Sequence, residues 1–328
     1  MTRASVLGVG SPIVDLLAQV DDAFLSTVPG RKGGMELVDP ATMDGILARL
    51  PKAPARAPGG SAGNTVCAMA RAGAACAMLG KTGSDEAAAY YKEAFAAIGG
   101  DVSRFKTDAT APTARCLSLV TPDSERTMRT DLGAALKMGA GDVVPADFSG
   151  IELVHIEGYL LFNPDLLNAV LAGAAKVHAT VSLDLGSFEV VNATKPLLTT
   201  VLRNSVDIVF ANEDEAAAFT GDRDPHAALG ALSQLCDIAA VKLGAKGALV
   251  ARGTERAEVP VVPAPRVIDT TGAGDFWAAG FLVGWLQKRD IAACGRLGSL
   301  FGSEVVRHLG AGLDSAGWDR VRAACSAP

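Results

Sequence analysis

Aromatic residues make up only 5% of this 328-residue chain, so its 49% hydrophobic content comes largely from Ala, Val and Leu. No apolar run of membrane-spanning length lacks an ionisable residue, and the Met1 start has no signal-peptide architecture. The expectation is a cytoplasmic protein with no membrane partner. Its six cysteines (Cys67, Cys76, Cys116, Cys236, Cys294 and Cys325) form no Cys-x-x-Cys pair and no metal-like spacing with the four histidines. Most lie within apolar segments, which reads as small core residues rather than disulfides or a structural zinc. The net charge is −6 and the basic residues are scattered rather than striped, which argues against nucleic acid as a partner. Internal repeats and low-complexity linkers are also missing. The length allows one large α/β domain or two ordinary ones.

What is present is alternation. Val6 to Gly10, Leu153 to Ile156, Val181 to Leu185, Val206 to Ala211 and Ile238 to Leu243 are rich in branched apolar residues and read as strands. Ala-rich helical stretches lie between them, such as Asp85 to Ile98, closed by Gly99-Gly100, and Pro164 to His178. Strand and helix alternating at this pitch predict a doubly wound, mostly parallel sheet covered on both faces. Segments 13–39 and 113–131 break the rhythm: they are more polar and rich in β-formers, and read as antiparallel strands inserted beside the sheet.

The stretch Asp269-Thr270-Thr271-Gly272-Ala273-Gly274-Asp275 runs directly into the apolar segment Phe276 to Leu286. Its glycines let backbone N–H groups crowd around an anion, and a helix starting here adds the positive end of its dipole. A carboxylate at that lip suits proton handling, so the turn could move a phosphoryl group onto an alcohol. Equally, Asp275 could simply cap a helix.

Other motifs admit two readings each. Gly8-Val9-Gly10 follows a strand, but residue 13, where a dinucleotide fingerprint needs its third glycine, is Ile. Gly80-Lys81-Thr82 mimics the end of a phosphate-binding loop, yet the first glycine that loop requires falls at Ala75. Gly59-Gly60 and Asn64 are either a plain loop feeding a helix or a close backbone approach to a polyhydroxylated ligand, with the Asn64 amide serving vicinal hydroxyls. Asn212 and Glu215 follow a strand and make a good capping box; they could also contact a phosphate oxygen and hold Mg²⁺ through water. Val241 to Ala248 is a strand-turn-strand in which Gly244 and Gly247 permit the turn, with Lys242 and Lys246 either near phosphates or solvated.

Residues 269–281 (DTTGAGDFWAAGF) resemble the C-terminal signature of the PfkB, or ribokinase-like, kinases. Residues 58–73 (PGGSAGNTVCAMARAG) resemble their Gly-Gly signature, and Asn212 to Glu215 fits their Asn-x-x-Glu motif, all in the family's order. The resemblance spans nearly the whole chain. It implies a single ribokinase-like domain over 1–328, with segments 13–39 and 113–131 as a small β lid over the acceptor. It also implies an ATP-dependent kinase with Asp275 as general base and the Gly272, Ala273 and Gly274 N–H groups as anion hole. Asp15, Gly59, Gly60 and Asn64 would bind the acceptor, although Ser11 stands where nucleoside-kinase-like members usually carry Asn. Asn212, Lys242, Gly244 and Gly247 would meet the nucleotide, and Glu215 would help hold Mg²⁺. Asp269 and Thr271 fall where some relatives bind a monovalent cation, a question the sequence leaves open. Because ATP is polyanionic and this chain acidic, positive potential must come from Mg²⁺, helix N-termini and a few placed Lys or Arg. Residues 125–134 (ERTMRTDLGA) and Ser182 to Phe188 look most like bacterial adenosine-kinase-like members. The expected acceptor is a nucleoside, with a free sugar as alternative, and the expected state a monomer or homodimer. A catalytically idle ligand-binding member is the reading from another class.

Overall fold

Strands form where the sequence is continuously apolar. In the computed structural model, which describes residues 5–123 and 125–327, an eight-stranded sheet organises the chain. Its order is Glu255–Val259, Ala248–Arg252, Ile238–Lys242, Ile208–Asn212, Thr180–Asp184, Leu153–Glu157, Val6–Val9 and Cys76–Leu79. All neighbours are parallel except the two pairings made by Ala248–Arg252, which are antiparallel. The Met1 start and Ser124 within the 113–131 segment lie outside the described residues.

Alternate side chains of each strand point to opposite faces, and each face has its own core. Val209 and Ala211 pack with helices Pro164–Lys176 and Phe188–Ser205. Ile208 and Phe210 pack on the other side with Ser61–Arg71, Ala273–Leu286 and Ile291–Val305. This is the doubly wound, mostly parallel α/β sheet that the alternation predicts. Among the described residues no helix is long and apolar enough to cross a membrane.

Segments 13–39 and 113–131 do form a second sheet, ordered Met35–Leu37, Arg126–Asp131, Ala114–Val120, Ile13–Gln19, Ala55–Gly59. It is mixed rather than antiparallel: Ile13–Gln19 pairs parallel to Ala114–Val120, and Met35–Leu37 parallel to Arg126–Asp131. The parallel central pair follows from both strands starting at the main body, where Gly80 abuts Pro12 and Gly83 abuts Pro112. Ile13–Gln19 shows the period of a half-buried strand. Val14, Leu16 and Ala18 join Leu117, Leu119, Met43 and Ile46 in a separate core, which leaves Asp15 on the opposite face.

Candidate active site

The central parallel strands end in polar residues. Glu157, Asp184, Asn212 and Lys242 are the last residues of their strands, in register Glu157 with Asp184 and Asn212 with Lys242. An apolar strand that stops at a polar residue delivers that side chain to the carboxyl edge of the sheet, where open α/β folds bind ligands.

Facing this row is the N-terminus of helix Ala273–Leu286. Gly272 takes the left-handed conformation (φ 73°) that lets the chain turn into the helix. The buried Phe276, Trp277 and Phe281 lock that turn against the sheet. Asp275 Oδ1 accepts the Ser61 hydroxyl at 2.9 Å and Oδ2 accepts the Asn64 amide at 2.8 Å. The Thr65 hydroxyl donates to the Asp275 carbonyl at 3.2 Å. The two glycine signatures are thus joined through Asp275. Asn64 Oδ1 is buried and has no hydrogen-bond partner among the described residues.

Gly60 (φ 87°) begins helix Ser61–Arg71, and a Cβ on Gly59 would collide with the Asp15 carboxylate. The paired glycines therefore answer to conformation at Gly60 and close approach at Gly59. Glu157, 2% exposed, accepts the Ser11 N–H at 2.9 Å and the Ala62 N–H at 3.2 Å.

The site is crowded with carboxylates. Burial, reinforced by the charge on Asp184, raises Asp275 to about 6, against the hydrogen bonds from Asn64 and Ser61 that lower it. Burial likewise pushes Glu157 and Asp15 to about 7; Arg126 pulls Asp15 down and the Asp275 charge pushes both up. Glu215 also rises to about 7 through burial and the neighbouring Asp184. Lys242 donates to Asp184 at 2.6 Å. Burial works against its charge, but Asp184 and Glu215 outweigh it and hold the ammonium above its ordinary value.

Asn212 and Glu215 form the capping box in full. Glu215 accepts the Asn212 N–H and side-chain amide, each at 2.8 Å, while Asn212 Oδ1 accepts the Glu215 N–H at 2.8 Å. Of the two lysines, Lys242 reaches the site whereas Lys246 is solvent-exposed and pairs with Glu213 at 3.0 Å. Gly244 and Gly247 shape the turn between antiparallel strands, and Gly247 abuts the Val259 carbonyl. Asp269 is bound on both oxygens by Arg126, at 2.7 and 2.8 Å, and accepts the N–H groups of Thr271 and Gly310 and the Thr271 hydroxyl. Burial opposes its charge; these donors and Arg126 prevail and hold it below the usual carboxylate range. Gly80-Lys81-Thr82 is no phosphate loop: Lys81-Thr82 is a strand pairing with Lys106-Thr107, and Lys81 is bound to Asp142 at 2.7 Å.

Sequence reasoning missed Asp184, Glu157, Ser61 and Arg126. The first two carry a readable signal, an acid ending an apolar strand. Ser61 and Arg126 lie inside the quoted signatures with nothing local to mark their partners.

A carboxylate with raised proton affinity, held at a helix N-terminus beside a buried ammonium, can take a proton from an alcohol while an anion is held by the helix. The comparisons agree with that chemistry. The pfkB family carbohydrate kinase signature matches residues 38–316. An adenosine kinase from Sinorhizobium meliloti is similar at 34% identity and TM-score 0.87, over 98% of this chain and 100% of that one. A probable sugar kinase from Rhizobium etli is similar at 33% identity and TM-score 0.87, over 99% of both chains. An uncharacterized sugar kinase from Archaeoglobus fulgidus is 29% identical over 74% of this chain and 96% of its own length. The chain belongs to the pfkB family of carbohydrate kinases, and is a phosphotransferase that moves phosphate from ATP to an alcohol on a nucleoside or sugar.

Proposed function

We propose that the chain phosphorylates the hydroxymethyl group of a nucleoside, adenosine-like in shape, with Asp275 as general base. The carrying observation is Asp275 itself. It is fixed by Ser61 and Asn64 at the mouth of a helix N-terminus, and burial raises its affinity for a proton. The acceptor hydroxyl gives its proton to Asp275 as its oxygen attacks the γ-phosphorus. The Gly272, Ala273 and Gly274 N–H groups offset the charge that develops on the transferred group.

Asp15 and the unpartnered Asn64 Oδ1 serve the acceptor hydroxyls from one side, with Gly59-Gly60 allowing the backbone to come close. The sheet built from 13–39 and 113–131 acts as the lid, excluding water that would otherwise hydrolyse ATP. A nucleoside is favoured over a free sugar by Tyr159. Its ring lies over Gly186, it is 42% exposed, and it senses the charges on Glu157 and Asp275. An exposed aromatic face close to Glu157 and Asp275 suits stacking against a base.

Lys242, Gly244 and Gly247 line the nucleotide side, with Asn212 beside them at the sheet edge. Among the described residues no three acidic or histidine side chains converge as a metal centre, so Mg²⁺ would be held mainly by the nucleotide phosphates and water, with the hard oxygen of Glu215 helping. Both Glu215 oxygens are held by Asn212, so Glu215 would reach the ion through water. When bound, Mg²⁺ neutralises charge on the phosphates. The Asp269 and Thr271 loop is filled by Arg126 rather than open to a monovalent cation, so we propose turnover independent of K⁺. A coupled ADP-release assay over nucleosides and free sugars tests the reading. Highest kcat/KM on a purine nucleoside is expected; preference for a free pentose or hexose would overturn the nucleoside assignment. ATP binding with no turnover on any acceptor would overturn the kinase mechanism.

A further inference from the structure

The paired glycines at 59 and 60 solve one problem and create another. They let the backbone pass the Asp15 carboxylate and the Ser11 carbonyl, which a Cβ at 59 or at 60 would strike. A glycine pair also leaves the peptide between its members free to rotate, since neither residue restricts its own dihedrals. Gly60 sits at φ 87° and ψ 142°, a conformation that L side chains rarely adopt, immediately before helix Ser61–Arg71. The antiparallel pairing of Ala55–Gly59 with Ile13–Gln19 ends at Gly59, so the Gly59–Gly60 peptide lies beyond the last rung of the ladder.

Tyr91 holds that peptide from behind. It stands in helix Glu86–Ala97, is fully buried, and donates its hydroxyl to the Gly59 carbonyl at 3.0 Å. Met78 Sδ, at 3.9 Å, is the weaker acceptor. The ring is fixed by packing: it stands edge-on to Phe105, with centroids 5.8 Å apart, and joins the core of the second sheet. The hydroxyl lies so close to helix Ser61–Arg71 that a Cβ on Gly63 would collide with it. Burial, with Cys67 and the Asp15 and Glu157 carboxylates nearby, keeps the phenol well above its ordinary value, so the group stays a donor. The Gly59–Gly60 bond is trans, as all described peptide bonds are. A carbonyl turned onto Tyr91 therefore points the Gly60 N–H the opposite way.

We propose that Tyr91 is a positioning residue for the acceptor: its hydroxyl locks the Gly59–Gly60 peptide in the orientation that presents the Gly60 N–H to an acceptor hydroxyl. This rests on the acceptor reading given above, in which Gly59 and Gly60 meet the substrate. Tyr91, buried behind Gly59, touches no substrate, and no bond is made or broken at it. Its effect is on how much of the glycine loop already has the binding geometry before the acceptor arrives. Without the hydroxyl the peptide samples the flipped orientation, which puts a carbonyl where the N–H is needed. The acceptor then binds only the remaining fraction.

Tyr91→Phe removes the hydroxyl and keeps the ring. KM for the acceptor should rise by roughly threefold to tenfold, the scale of one hydrogen bond, with KM for ATP unchanged. A packing role alone predicts a lower melting temperature with both KM values unchanged; that result, or an equal rise in both, would overturn the assignment. Gly63→Ala in the Tyr91→Phe background is the second variant, because its methyl fills the space the oxygen leaves. The double variant should melt no lower than Tyr91→Phe and keep the raised acceptor KM. An acceptor KM restored to the wild-type value would show that packing was the cause and sink the proposal. Hydrogen exchange over residues 55–62 gives a readout that needs no acceptor. It should quicken in Tyr91→Phe by about the same factor as the acceptor KM rises, and unchanged exchange would refute the hold on the peptide. Wild-type protein that phosphorylates nothing, with exchange quickened by Tyr91→Phe, would refute the kinase reading and leave the Tyr91 contact standing.

Discussion

Replacing Asp275 with Asn isolates proton acceptance from everything else the residue does. The carboxylate accepts one hydrogen bond on each oxygen, from Ser61 at 2.9 Å and from Asn64 at 2.8 Å. The amide that replaces it keeps one acceptor oxygen and turns a donor toward the other partner. Both partners can adapt. A serine hydroxyl accepts as readily as it donates, and an Asn64 flip would present its unpartnered Oδ1. The structural cost of Asp275→Asn is therefore about 1 kcal/mol or less. The chemical cost is loss of the general base, on the order of 10²–10⁴ in kcat, with ATP affinity nearly unchanged.

The pH dependence gives a second readout. Burial raises Asp275 to about 6, so wild-type kcat/KM should fall as pH drops through that value and the carboxyl takes up a proton. The stability effect has the opposite sense. The folded protein binds this proton more tightly than the unfolded chain, whose carboxyl titrates near 3.8. Asp275 thus contributes stability that is full below that value and lost as pH rises through about 6. Asp275→Asn removes this loss, so at pH 8 the variant should melt no lower than wild type. Near-normal turnover in a folded Asp275→Asn protein would refute the reasoning.

Further substitutions probe the neighbouring groups. Glu215→Ala should raise the Mg²⁺ concentration for half-maximal rate, whereas loss of a cap alone would lower stability by about 1 kcal/mol and leave the Mg²⁺ titration unchanged. Asp15→Ala should cost about 2–4 kcal/mol in kcat/KM for the acceptor with little change in KM for ATP; unaltered acceptor kinetics would remove Asp15 from the site. Lys81→Ala should lower thermal stability by breaking the pair with Asp142 and leave nucleotide affinity intact by calorimetry, the reverse of what a phosphate-loop lysine would show.

What the sequence made legible is what depends on local pattern. Strands such as Ile208–Asn212 are apolar on both faces and are legible without a partner, because burial on both sides leaves no polar alternation to misread. The edge strand Ala55–Gly59 was not legible: it carries no β-branched residue and includes Pro58, tolerated because an edge leaves one side of the backbone unpaired. The mixed direction of the second sheet was hidden for a related reason. A run such as Cys116 to Val120 records the period of a strand but not which way its neighbour runs. Within the candidate site the same division holds. Gly272 to Asp275 and Asn212 to Glu215 are contiguous, so their turn and cap chemistry show in the sequence itself.

The contacts that give those residues chemical meaning are not contiguous. Asp275 meets Asn64 across 211 positions, Arg126 meets Asp269 across 143, and Lys242 meets Asp184 across 58. For the last of these the parallel sheet is the whole cause. Thr180–Asp184 and Ile238–Lys242 flank the single strand Ile208–Asn212 and end together at the carboxyl edge, so the long Lys242 side chain can reach across to Asp184, whatever lies between them in sequence. An acid and a lysine that each look like ordinary strand termini become a buried ion pair only when that edge is assembled. The environment that raises Asp275 to about 6 is built in the same step, from residues that carry no mark of it in isolation. Signatures therefore disclose where such a site lies, while the charge on its groups is a property of the sheet edge as a unit.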